Sequence, residues 1–174
     1  MRSLLFGCGL VLGTVFCVLS ATAAFADQAP DCLAGGNVLA INNDQILNWK
    51  TTTKNQFEDR AHLSGVVVTV YADHSGHHHM SVRIGPQATD TVEVVYNEDF
   101  GSVPSYGPGS QIEACGDYIT SYAQSGDFPP SPDGAVVHWI HESPNLEKHP
   151  SGFLIIDGVL CGNLPENAGP KRNH

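Results

Sequence analysis

Positive charge is scarce in this chain. Eight Lys and Arg stand against 18 Asp and Glu, giving a net charge of −10. Phosphate backbones are held by Lys and Arg, so this balance argues against a nucleic-acid partner. The adjacent pair Lys171-Arg172 sits at the extreme C-terminus. The five cysteines contain no C-x-x-C pair, which excludes a thioredoxin-like motif and a zinc ribbon. No G-x-S-x-G is present, so nothing marks a nucleophile elbow. Aromatics make up only 8% of residues. Tyr71, Tyr96, Tyr106, Tyr118 and Trp139 are available for a stacking face, although Trp139 reads first as a core residue. There is no internal repeat and no extended low-complexity tract.

No apolar run is long enough to span a bilayer. The longest, Leu4 through Leu19, falls short of the roughly 20 residues required. It follows Arg2 and leads into Ala24-Phe25-Ala26 before Asp27. A positive start, a short apolar core and an A-x-A step form the pattern of a cleaved secretory signal. Residues 1–26 are therefore expected to be a signal peptide and the protein periplasmic or secreted. Cys8 lacks a preceding apolar stretch and Cys17 follows bulky Val15-Phe16, so neither fits lipidation. Residues 27–174 suit one domain with a hydrophobic core. Export permits a disulfide. Of Cys32, Cys115 and Cys161, pairing of Cys32 with Cys115 or with Cys161 is favoured, because it ties down the N-terminal segment.

Residues 27–60 read as a polar lead and a helix. Asn43 is placed to cap a helix from Asp44 to Lys54, with Ile46 and Leu47 on one face and Trp49 beside them. From Phe57 onward the pattern changes to strands. The first is Ala61–Tyr71, with the β-branched run from Val66. Met80, Val82 and Ile84 alternate with polar residues in the second, and Thr91–Tyr96 forms the third. Gln111–Thr120 is the fourth, with Gly116 marking a bulge or a close backbone approach. Ala135–His141 is the fifth. Phe153–Ile156 and Val159–Cys161 flank Asp157-Gly158, a hairpin signal. The fold class is mainly β: a small five-stranded OB-like barrel with an N-terminal helix and a C-terminal β-hairpin. The barrel domain spans residues 61–163, and residues 164–174 form a flexible tail.

Histidine carries the functional signal. Alternation puts His77 and His79 on one face of the second strand, opposite Met80, Val82 and Ile84. His138 and His141 differ by an odd number of positions, so both serve one site only if the strand ends or bulges near Ile140. His149 follows. An H-x-H pair on one strand plus a histidine on another is a way to assemble three neutral imidazoles around zinc or another divalent transition metal. His77, His79, His138, His141 and His149 are the candidate metal ligands. Asp73, Asp99 and Glu142 are available carboxylates.

The segment Gly134-Ala135-Val136-Val137-His138-Trp139-Ile140-His141-Glu142-Ser143-Pro144, with His149 and Gly152-Phe153 after it, resembles G-G-V-I-H-W-T-H-x-D-P-x-x-x-H-x-x-G-[WYF] of a bacterial family. That family is catalogued as domain of unknown function 3465. Gly65-Val66-Val67 resembles its first strand. Gly76-His77-His78-His79-Met80 resembles its G-x-x-H-Q-x-F step, and Tyr96-Asn97-Glu98-Asp99 resembles H-N-I-D. Residues 109–118 resemble G-D-x-V-x-F-x-G-E-Y. The resemblance spans roughly residues 64 to 160 and implies a small exported OB-like domain without an established activity. Tyr96 stands where that family shows His, and Ser143 where it shows Asp. Together these readings point to a binding domain that takes a metal ion or a small polar or glycan ligand on a His/Asn/Asp face. Asn97, Asp99, Trp139 and Tyr96 are the candidate ligand-binding residues. The alternatives are a metal-dependent hydrolase of phosphodiesterase type and an envelope protein-interaction module.

Overall fold

The computed structural model describes residues 29–146 and 149–162; the expected signal peptide and C-terminal tail lie outside them. The elements, in order, are β1 (Leu33–Ala34), β2 (Asn37–Val38), α1 (Asn43–Thr52), β3 (Glu58–Val70), β4 (His77–Arg83) and β5 (Thr91–Asn97), then β6 (Gln111–Thr120), β7 (Ala135–His138), β8 (Phe153–Ile156) and β9 (Val159–Cys161). A single 3-10 turn, Glu98–Phe100, follows β5.

Five strands close into a barrel in the order β3-β4-β5-β7-β6, with β6 returning to β3. Every neighbouring pair is antiparallel except β5 and β7, which run parallel. This is the Greek-key barrel expected of an OB-like fold. β3 reaches around the barrel because it is 13 residues long. Its first part pairs with β6, its last part with β4, and the register shifts between Val67 and Thr69. The β8–β9 hairpin extends the sheet beyond β6. Its turn residues Asp157 and Gly158 both have positive φ, as a two-residue I′-type turn requires.

Period-2 alternation fills the interior. Ala61, Leu63 and Val67, then Met80 and Val82, Val92, Val94 and Tyr96, Ile112, Ala114 and Tyr118 all pack into one buried cluster. Helix α1 adds Ile46 and Trp49 to it. The helix begins a residue earlier than its expected start and ends at Thr52. Asn43 does not cap it. Its amide instead donates to the carbonyls of Ser64 and Ile84 and accepts from the Ser64 N–H, pinning the helix to β3 and β4.

Three further departures matter. The lead is not wholly irregular, since β1 and β2 form a small hairpin around Gly35-Gly36. Strand β3 begins at Glu58, because Glu58, Asp59 and Arg60 already pair with β6. The fifth barrel strand stops at His138 rather than His141. Trp139 takes φ 54°, a left-handed conformation that breaks the ladder.

Gly116 lies in a regular stretch of β6, so its role is close approach rather than a bulge. A Cβ there would overlap the His138 carbonyl oxygen and crowd the Ile140 side chain. Gly116→Ala is expected to lower the unfolding free energy by about 1–3 kcal/mol in urea titration. Gly107→Ala, whose Cβ meets open space, serves as the control and should stay within about 0.5 kcal/mol of wild type.

The cysteines resolve as a Cys32–Cys115 disulfide, with Cys161 a free, buried thiol. A buried disulfide indicates folding in an oxidising, extracytoplasmic environment. Among the described residues, no helix is long and apolar enough to cross a membrane.

Candidate functional site

The barrel's outer face over β4, β5 and β7 is polar, and the chain covers only part of it. The segment between β6 and β7 lies over one end. There Asp133 accepts hydrogen bonds from the hydroxyls of Ser81 (3.0 Å), Thr91 (2.6 Å) and Tyr71 (3.2 Å). The histidines occupy the other end.

His79 pairs across the ladder with Val95, and His77 with Asn97. On the far side of β5, β7 runs in the register Glu93–Val136 and Val94–Val137, which brings His138 next to Val95. His138 in turn faces Asp117 on β6. The rings form a chain of contacts. His74 lies 5.7 Å from His79, His79 lies 6.5 Å from His77, and His77 lies 5.7 Å from His138, between ring centres. Trp139 continues the chain, 5.5 Å from His138, 5.4 Å from His141 and stacked at 4.2 Å on His149. The five expected histidines therefore share one region in two groups, His77, His79 and His138 on one side of Trp139 and His141 and His149 around it. The left-handed backbone at Trp139 is what brings His138 and His141 together despite their odd spacing. As the side chains stand, no three His, Cys, Asp or Glu groups among the described residues are placed to hold a metal ion.

Each ring has a distinct setting. His79 Nδ1 is 2.7 Å from a Glu93 carboxylate oxygen. Burial would push the Glu93 carboxyl up, but hydrogen bonds from His79 and Ser131 outweigh it and hold the group below its ordinary value. His77 Nδ1 faces the Ser75 carbonyl at 3.3 Å. His149 Nδ1 is 3.2 Å from Asp117, whose other oxygen takes Arg60 at 2.6 Å. His141 is buried, stacked on Phe100 with its Nδ1 2.9 Å from the Glu142 carbonyl. A carbonyl or carboxylate only accepts, so each of these Nδ1 atoms donates and the lone pair of a neutral ring falls on Nε2. Burial, followed by the nearby imidazoles of His77, His141 and His79, pushes His138 down to about 4, against the opposing pull of Asp117.

The other expected residues divide. Asn97 lies on the face beside His77, and its side-chain oxygen accepts the Asp99 N–H at 2.9 Å. Trp139 belongs to this face and not to the buried core, contrary to its first reading. Tyr96 belongs to the core. It is fully buried, and its hydroxyl donates to the Gly101 carbonyl at 2.8 Å. Asp73 turns away to His78, which points into the barrel mouth between Asp73 and Glu98. Sequence reasoning missed His74, Glu93 and Asp117. Strand parity was the available signal for Asp117, which alternates with the inward-facing Gly116 and Tyr118.

No known protein family, curated protein or solved structure matches this chain, and none of these comparisons supports the resemblance to the family of unknown function.

Proposed function

We propose that the mature protein is a periplasmic or secreted binding domain whose ligand docks on the outer face of β4, β5 and β7. The ligand is a metal ion or a small polar molecule, held by imidazoles with Asn97, Asp99 and Trp139 at the margin. The observation that carries this reading is the unbroken chain of six imidazoles and Trp139 outside a filled barrel. The interior offers no alternative, because inward side chains from every barrel strand pack into one cluster.

The test is a histidine and tryptophan ring NMR titration of the mature, untagged protein with zinc chloride, inorganic phosphate and a neutral disaccharide. At least one probe should shift the His77, His138 and Trp139 resonances and leave His62 unmoved. His62 is the internal control, since its ring is tied to the Leu39 carbonyl and Glu113 on another part of the barrel. If none of the three probes moves these resonances, the binding face is not one.

A second reading, metal-dependent hydrolysis, draws on the His149–Asp117 pair, a histidine oriented by a carboxylate as a general base is. It requires zinc-loaded protein to cleave bis-4-nitrophenyl phosphate and to lose that activity on His149→Ala.

A further inference from the structure

We infer that the ligand of this face is a divalent transition-metal ion, Zn²⁺ or Cu²⁺, shared by the Nε2 atoms of His77 and His79 and a ring nitrogen of His138. The inference rests on the reading of this face as a binding surface, and it names the ligand.

Three observations separate a metal from the other small ligands. The first is the direction of the lone pairs. His79 is backed by the buried Glu93 carboxylate and His77 by the Ser75 carbonyl. A histidine whose Nδ1–H is held by a carboxylate or a backbone carbonyl is the usual arrangement behind a metal ligand, because it fixes the tautomer and makes Nε2 more basic.

The second is spacing. Two imidazoles on one tetrahedral zinc have ring centres about 5.2 Å apart, from a Zn–N bond near 2.0 Å and a ring radius of about 1.1 Å. His77 and His138 already stand at 5.7 Å, and His77 and His79 at 6.5 Å. His77 is the middle ring, and its only hydrogen bond among the described residues is the long one to Ser75, so it is the ring free to swing. A swing of His77 shortens both of these spacings, and a shared ion also requires the His79 and His138 rings, which are not in contact, to turn towards each other over Val95. His79 and His138 flank Val95 across two strand spacings, about 9.5 Å. Val95, 7% exposed, forms an apolar floor between them.

The third is what the face withholds from competitors. Among the described residues, its charged neighbours include the Glu93, Asp99, Asp117 and Asp133 carboxylates, and Arg60 is engaged by Asp117. An anion would meet repulsion from these carboxylates. A sugar would need an open aromatic platform, and one face of Trp139 is already occupied by His149, stacked at 10°. Three neutral nitrogen donors suit a borderline ion, and three protein ligands leave one tetrahedral position for water or a partner group.

The experiment is calorimetric titration of chelator-treated, untagged mature protein with Zn²⁺ and with Cu²⁺ at pH 7.5, followed by the histidine ring spectra. One equivalent should bind. His77→Ala and His138→Gln should each weaken it at least about tenfold, and Glu93→Gln should weaken it about 10–100-fold through His79. His62→Ala should stay within about threefold of wild type. His138→Gln keeps a polar group of similar size, and unchanged amide spectra of each variant confirm folding. Affinity weaker than about 1 mM, or binding that survives His77→Ala and is lost in His149→Ala, overturns the inference. If neither ion moves the His77 and His138 resonances while phosphate or the disaccharide does, the metal assignment fails and the binding face stands. If no probe moves them, both fail.

Discussion

Protein carrying Cys32→Ala and Cys115→Ala is expected to lose about 4 kcal/mol of unfolding free energy. The disulfide spans a sequence separation of 83 residues, and loop-closure entropy for a ring of that length gives about 4.5 kcal/mol at 25 °C. Native packing should follow the bond. Cys32, Cys115, Phe153 and Ile155 form a small buried cluster of their own, with Ala29, Leu39 and Leu160 against it. That cluster attaches the N-terminal lead to the outside of β6. Urea unfolding of the oxidised protein and the double variant gives the difference directly. Hydrogen exchange should show the lead, residues 30–42, losing protection before the barrel strands. A loss under about 1 kcal/mol would mean that the lead contributes little and that the denatured chain is already restrained. Cys161 does not complicate the comparison. Burial pushes its thiol up to about 11, so it stays protonated and does not attack the bridge.

Acid should weaken the fold through one imidazole. His138 in the folded protein titrates at about 4 against an ordinary value of 6.5. Below about pH 6.5 the unfolded chain takes a proton at this residue, whereas the folded chain does not until about pH 4. The contribution is fully present above pH 6.5, is lost as the pH falls from 6.5 to 4, and changes no further below 4. A depression of this size corresponds to roughly 3 kcal/mol as an upper figure, since part of the ring still reaches solvent. Urea unfolding at intervals from pH 7.5 to 4, in chelator-containing buffer, should show that decline, and His138→Gln should remove most of it. Carboxylates such as Asp117 are common to both proteins and cancel in the difference. If wild type and His138→Gln decline in parallel, burial of His138 is not the cause.

Much of the barrel was legible because its strands follow the simplest rules. Val66 to Val70, Met80 to Ile84 and Gln111 to Thr120 carry β-branched or alternating patterns, and Asp157-Gly158 demands one kind of turn. The disulfide was legible down to two partners. The choice between them was a matter of face. Cys115 points outward from β6, towards the lead, whereas Cys161 packs into the main core. The histidine cluster was legible as composition and as the His77/His79 parity. Trp139 was not. Its positive φ carries no glycine to announce it, and that single residue both ends β7 and turns the tryptophan out of the core. Tyr96 was misplaced because its resemblance to a histidine position outweighed its parity with Val92 and Val94. The His149–Asp117 contact joins residues 32 apart in sequence, and no local pattern encodes it.

The chain has two tryptophans, and the fold puts them in different environments. Trp49 sits in the core against Tyr118 and Phe57, while Trp139 lies flat on His149 beside the imidazole row. The molecule thus carries two tryptophan fluorophores with separate subjects. Trp49 emission reports on whether the barrel is folded, and Trp139 emission on the charge and occupancy of the rings around it. With Trp49→Phe, the remaining tryptophan signal comes from the outer face alone.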